Sequence, residues 1–69
     1  MAHFIRLTNY DGSESYCINL DAISYIDLNQ CVYQDKTYYT IFMNRQNGID
    51  VSRDGLQQVL NALKQFGYM

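Results

Sequence analysis

Polar and apolar residues alternate from the start of the chain. Over about 3–10, Ile5 and Leu7 fall opposite Phe4, Arg6 and Thr8, the two-residue period of a strand with one buried face. Asp11-Gly12 follows, a dipeptide suited to the positive φ angles of a type I′ turn, and predicts a tight hairpin. A second strand over about 14–19 sets Tyr16 and Ile18 on one face and Ser15 and Cys17 on the other. Asn19-Leu20-Asp21-Ala22 breaks the alternation. Asn and Asp side chains bond amides just downstream, so this segment reads as an Asx-type turn or one helical turn.

A third strand is predicted over about 23–28. The polar stretch 29–36 reads as a loop or irregular hairpin tip, although Cys31-Val32-Tyr33 inside it could prolong the strand. Residues 37–43 are β-branched and aromatic almost throughout and predict the clearest strand. Asn47-Gly48 offers a second tight turn, and 49–51 a short fifth strand. The period then becomes helical. Ser52 stands where an N-cap belongs and Asp54 lies in the first turn. Leu56, Val59, Leu60, Leu63 and Phe66 form one apolar stripe, and Gly67 is a stop signal, which predicts a helix over about 53–66. Gly55 weakens its first turn by about 1 kcal/mol relative to Ala.

The expectation is one α+β domain spanning 1–69: an antiparallel meander of four to five strands with a C-terminal helix packed on one face. Ile5, Leu7, Tyr16, Ile18, Ile26, Ile41 and the helical stripe are the predicted core. The other face carries Phe4, Arg6, Thr8, Tyr38, Thr40 and Phe42, and one helix covers only one face. Either that face is an interface, or the 29–36 loop and long side chains fold across it.

Composition narrows the function. The 69 residues include seven Tyr, three Phe, no Trp and no Pro, with 48% hydrophobic residues, so the chain is foldable and leans to β structure. At this length the stability margin is thin. The net charge is −2, and the five basic residues are scattered, so direct nucleic-acid binding, which needs a dense basic patch, is not expected. No apolar run is long enough to span a bilayer and no secretory pattern opens the chain, so a cytoplasmic location is expected. Cys17 and Cys31 could be bridged, but without a secretion signal two reduced, half-buried thiols are the favoured reading.

The sequence presents no constellation for catalysis. The single histidine, His3, lies near an end expected to fray; with Cys17 and Cys31 it falls short of four metal ligands and shows no paired spacing. Asp11, Asp21 and Asp54 each have a turn or capping reason for their positions, and Gly12 and Gly48 are turn glycines, with no phosphate loop among them. Neither an enzyme, a metal site nor a cofactor is expected.

The succession Ile5-Arg6-Leu7-Thr8, Asp11-Gly12 and Ile18-Asn19-Leu20-Asp21-Ala22-Ile23-Ser24-Tyr25-Ile26 resembles the small FlbD/SwrD-type flagellar and swarming-motility proteins. Thr40-Ile41, Asn47-Gly48, Val51 and the Val59-Leu60 helix look like further counterparts. The segment 30–36 and the many tyrosines depart from that pattern. The resemblance implies a small cytoplasmic accessory protein acting on a larger assembly, with no catalytic residues to transfer.

Two functional expectations follow. The first is a non-enzymatic protein–protein interaction module, using Phe4, Arg6, Tyr38 and Phe42 and binding either another protein or itself as a homodimer. The second is a phage- or mobile-element-encoded inhibitor of a host defence complex, anti-CRISPR-like, acting by steric occlusion. Tyrosine supplies contact area at low entropy cost and suits both.

Overall fold

The computed structural model describes residues 2–45 and 47–69. It is an α+β domain of antiparallel sheets with one C-terminal helix packed against them. β1 (Phe4–Thr8) and β2 (Ser15–Asn19) form a hairpin, with Ile5 opposite Ile18 and Leu7 opposite Tyr16. A 3₁₀ turn at Leu20–Ala22 follows, opened by the Asn19 side chain accepting from the Asp21 amide. β3 (Ile23–Ile26), β4 (Cys31–Tyr33), β5 (Lys36–Met43) and β6 (Ile49–Val51) then build a second sheet around β5.

β5 is the centre of that sheet. Ile41 pairs with both Ile26 and Ile49, so β3 and β6 lie on opposite sides of it. β4 pairs with the first half of β5 and β3 with the second. A bond from the Asp27 amide to the Thr40 carbonyl prolongs the β3 side. The two sheets meet where the Tyr10 amide donates to the Asp50 carbonyl.

α1 (Arg53–Gln65) covers one side. Its Ser52 hydroxyl accepts from the Gly55 amide, as an N-cap does. At the other end Gly67 has φ +83°, its amide donates to Lys64 and the Tyr68 amide donates to Leu63, a Schellman closure. Gly55 is buried, and a Cβ there would lie 3.0 Å from the Val51 Cβ. Its lost helix propensity accompanies this close approach of helix to strand. The core gathers Leu7, Ile18, Ile41, Leu56, Val59 and Leu63 as expected, and adds Leu20, Met43, Ile49, Val51 and Ala62. Ile5, Tyr16, Ile26 and Leu60 pack at its margin, while Phe66 lies outside it.

Several local expectations are corrected. Asp11-Gly12 is not a two-residue turn: pairing ends at Thr8–Ser15, and only Gly12 has positive φ (+78°). Asn9 wins instead, because its amide and side chain both bond Glu14 and close a longer loop. The tight two-residue turn is at Gln34 (φ 49°) and Asp35 (φ 64°), joining β4 to β5. Segment 29–36 is therefore mostly a sixth strand and its turn, which lengthens the sheet. Gly48 does not have positive φ, so Asn47-Gly48 is no type I′ turn. Gly48 is there for space, since a Cβ would meet the Thr40 Cγ2 at 2.6 Å.

Candidate functional site

Side chains alternate along β5. Ile41 and Met43 are buried toward the helix, so Lys36, Tyr38, Thr40 and Phe42 face the other way. The pairing register sets Tyr33 beside Lys36, Cys31 beside Tyr38, Asp50 beside Thr40 and Tyr25 beside Phe42. The Tyr25 and Phe42 rings stack at 4.4 Å between centroids and 16° between planes. Tyr10 tilts onto Tyr38 at 5.1 Å. Five aromatic side chains thus share one side of the sheet, and Tyr25 and Tyr33 are 57% and 55% exposed. Thr40 donates its hydroxyl to Asp50 at 2.8 Å and fixes the middle of the face.

Of the four residues predicted for binding, Tyr38 and Phe42 lie on this face. Phe4 and Arg6 belong to the other sheet, on the outer side of β1, opposite Asn19 and Cys17. Phe4 is 60% exposed. Arg6 borders an open cleft of about 590 Å³ together with Thr8, Tyr10, Ser52, Asp54 and Gln58. Tyr10 edges both the cleft and the aromatic face. Sequence reasoning missed Tyr10, Tyr25 and Tyr33. Alternation from Ile26 pointed to Tyr25, but Tyr33 required the Gln34-Asp35 turn, a dipeptide without glycine.

The polar groups on and around the face are tuned by local contacts. The neighbouring Cys31 thiol, burial and the Asp50 carboxylate raise the Tyr38 phenol above its ordinary pKa of 10.0. Hydrogen bonding to Glu14 raises Tyr16, and bonds from Ser13, with a smaller effect from Lys36, lower Asp11. Both cysteines are free; Cys17 is exposed rather than half-buried, because it sits on the outer side of β2.

His3 is not a frayed, exposed end. It is half-buried, stacked on Phe66 at 4.3 Å, and its Nδ1 lies 3.2 Å from the Tyr68 hydroxyl, which donates to Asp21. The Tyr68 hydroxyl thus joins the His3 ring to the Asp21 carboxylate. The chemistry of this cluster is that of a clamp joining the two ends of the chain. Among the described residues no group of three or more His, Cys, Asp or Glu side chains is placed to hold a metal. No helix of the described chain is long and apolar enough to cross a membrane.

Comparison with protein-family models, with curated proteins and with solved structures gave no match in any of the three.

Proposed function

We propose that this chain is a small, non-enzymatic, cytoplasmic protein–protein interaction module that modulates a larger assembly through the aromatic face of its second sheet. The observation that carries this reading is the grouping of Tyr10, Tyr25, Tyr33, Tyr38 and Phe42 on the side that α1 does not cover. Aromatic rings left at a surface in one group are what interface centres are made of. Stacking within the Tyr25–Phe42 and Tyr10–Tyr38 pairs limits their rotamers before any partner arrives, which lowers the entropy cost of association. The resemblance to FlbD/SwrD-type proteins supports an accessory role.

The test compares affinity capture from the native host by the full chain and by a Tyr25→Ser/Tyr33→Ser variant, with Phe4→Ser as a surface control. A macromolecule retained by the parent and the control, and lost by the face variant, supports the reading. Equal retention by all three sinks it. The identity of the captured partner also separates a motility-type assembly from a defence complex.

A further inference from the structure

We propose that Asn47-Gly48 is a site of spontaneous deamidation, at which the Gly48 amide attacks the Asn47 side chain and converts it to isoaspartate and aspartate. The modification does not depend on what the aromatic face binds.

The reaction needs only water. The Gly48 nitrogen gives up its proton to hydroxide and forms a bond to Asn47 Cγ. The Cγ–Nδ2 bond breaks, and ammonia leaves with a proton taken back from water, which closes a cyclic imide. A second water then opens the ring. Hydrolysis at Cγ restores the main chain as aspartate. Hydrolysis at the main-chain carbonyl leaves the chain routed through Cβ and Cγ as isoaspartate, longer by one methylene.

Attack requires an unshielded nitrogen, a backbone not locked in regular structure, and access for water. Packing supplies the first. A Cβ at 48 would lie 2.6 Å from the Thr40 Cγ2, so the position takes glycine and the amide after Asn47 has no side chain to shield it. Both residues are exposed, and they precede β6 without belonging to a strand or helix.

Elsewhere the fold closes this route. Asp11-Gly12 is the chain's other pair suited to imide formation. Its Gly12 amide donates to the Asn9 carbonyl at 3.0 Å, and Asp11 Oδ1 accepts from the Ser13 amide at 3.0 Å. The bonds from Ser13 lower the Asp11 pKa and keep the carboxylate anionic, a poor target for a nucleophile. The Asn9 and Asn19 side-chain oxygens accept from the Glu14 and Asp21 amides, and the amides that follow them donate to the Asp50 and His3 carbonyls. The asparagines at 29, 44 and 61 all precede residues that carry a side chain.

The product acts on the junction of β5 and β6. Gly48 fits against Thr40, with Phe42 ring atoms 3.5 Å from where its Cβ would be. An added methylene just before it displaces Gly48 from that seat or Ile49 from its pairing with Ile41. The new carboxylate also adds a negative charge to a chain whose formal charge is already −2. Ageing thus loosens the floor of the aromatic face from one edge.

The full chain, aged at physiological temperature over a series of mildly alkaline pH values, is digested with trypsin, which releases 46–53 with Asn47 as its one asparagine. Mass spectrometry with fragmentation that separates isoaspartate from aspartate reads each site. Asn47 should convert faster than every other asparagine by at least an order of magnitude, more quickly as pH rises, with isoaspartate the major product. Asp11 should isomerise only in a parallel sample unfolded in urea. The Gly48→Ala/Thr40→Ser chain, shown to be folded by circular dichroism, should slow conversion at Asn47 by a similar factor. The isoaspartate form, isolated by ion exchange, should melt about 4–8 °C below the parent, whereas Asn47→Asp should melt with it. Conversion at Asn47 no faster than at Asn44, or isomerisation of Asp11 at a matching rate in the folded chain, overturns the proposal. An isoaspartate form that melts with the parent overturns the loosening of the β5–β6 junction.

Discussion

Replacing Gly48 with alanine isolates one contact on the aromatic face. The backbone at Gly48 is not in the left-handed region, so alanine meets no conformational strain there. Its Cβ would, however, lie 2.6 Å from the Thr40 Cγ2, about 1 Å inside ordinary carbon contact. A long flexible side chain would move aside, but Thr40 is short, β-branched and held by its hydrogen bond to Asp50. Rotating the methyl away breaks that bond, and keeping it moves the backbone of β6. The expected cost is that of overpacking, about 1–3 kcal/mol. For a domain of this size each kcal/mol lowers the melting temperature by about 4–8 °C. Thr40→Ser removes the methyl and keeps the hydroxyl. In that background Gly48→Ala should cost nothing or stabilise by up to about 0.5–1 kcal/mol, because alanine restricts the unfolded chain. Urea unfolding of the four members of the cycle measures the coupling. Equal costs of Gly48→Ala in the two backgrounds would refute the steric explanation.

Three further outcomes are expected. Ile41 is fully buried, so Ile41→Ala should cost about 2–5 kcal/mol, a large part of the roughly 3–10 kcal/mol available to a 69-residue chain; urea denaturation checks it. Gly67→Ala places a side chain at φ +83° and should destabilise the helix end by about 1 kcal/mol, whereas a neutral melting temperature would contradict the Schellman reading. Tyr68 is raised above 10.0 first by its hydrogen bond to Asp21, so the stability linked to it is complete below that value and is lost as pH climbs through the folded pKa. Thermal scans from neutral to alkaline pH should therefore fall less steeply for Tyr68→Phe than for the parent, and the variant should also release the His3–Phe66 stack, seen as faster amide exchange at residues 66–68.

Alternation and capping were legible wherever one local principle acted alone. The Ser52 cap, the Gly67 stop and the inward sets Ile5–Leu7 and Tyr16–Ile18 needed only spacing and residue type. The misreadings fall where two local preferences compete. Asp11-Gly12 favours a tight turn, yet Asn9 two residues earlier binds Glu14 with backbone and side chain, and the larger loop prevails. Gln34-Asp35 has no glycine, so no single-residue signal marks it; the pairing of Cys31–Tyr33 with Lys36–Tyr38 imposes positive φ on both residues. The candidate site follows the same division. Tyr38 and Phe42 were visible because β5 alternates cleanly. Phe4 and Arg6 obey the same rule on β1, but no periodicity states which sheet a strand joins. His3 was unreadable, because its ring is ordered by Phe66 and Tyr68 at the far end of the chain.

A flat aromatic face serves recognition only if it keeps its shape when unbound, and its floor explains how it does. Thr40 and Asp50 join β5 to β6 by a side-chain hydrogen bond on the exposed side of the sheet, while Ile41, Ile49 and Val51 anchor the same two strands beneath it. Gly48 permits the chain to pass against Thr40 and in contact with the Phe42 ring, whose atoms lie 3.5 Å from where a Cβ would be. Phe42 is thus held between Gly48 and Tyr25, with few rotamers left to lose on association. If the face binds as proposed, stability and recognition meet at Gly48, Thr40 and Phe42. A Gly48→Ala/Thr40→Ser chain would regain its fold and still present an altered floor, so its stability and its affinity should part company. In a domain whose core is this small, such double use of a few side chains helps the single helix behind the sheet keep its open surface rigid.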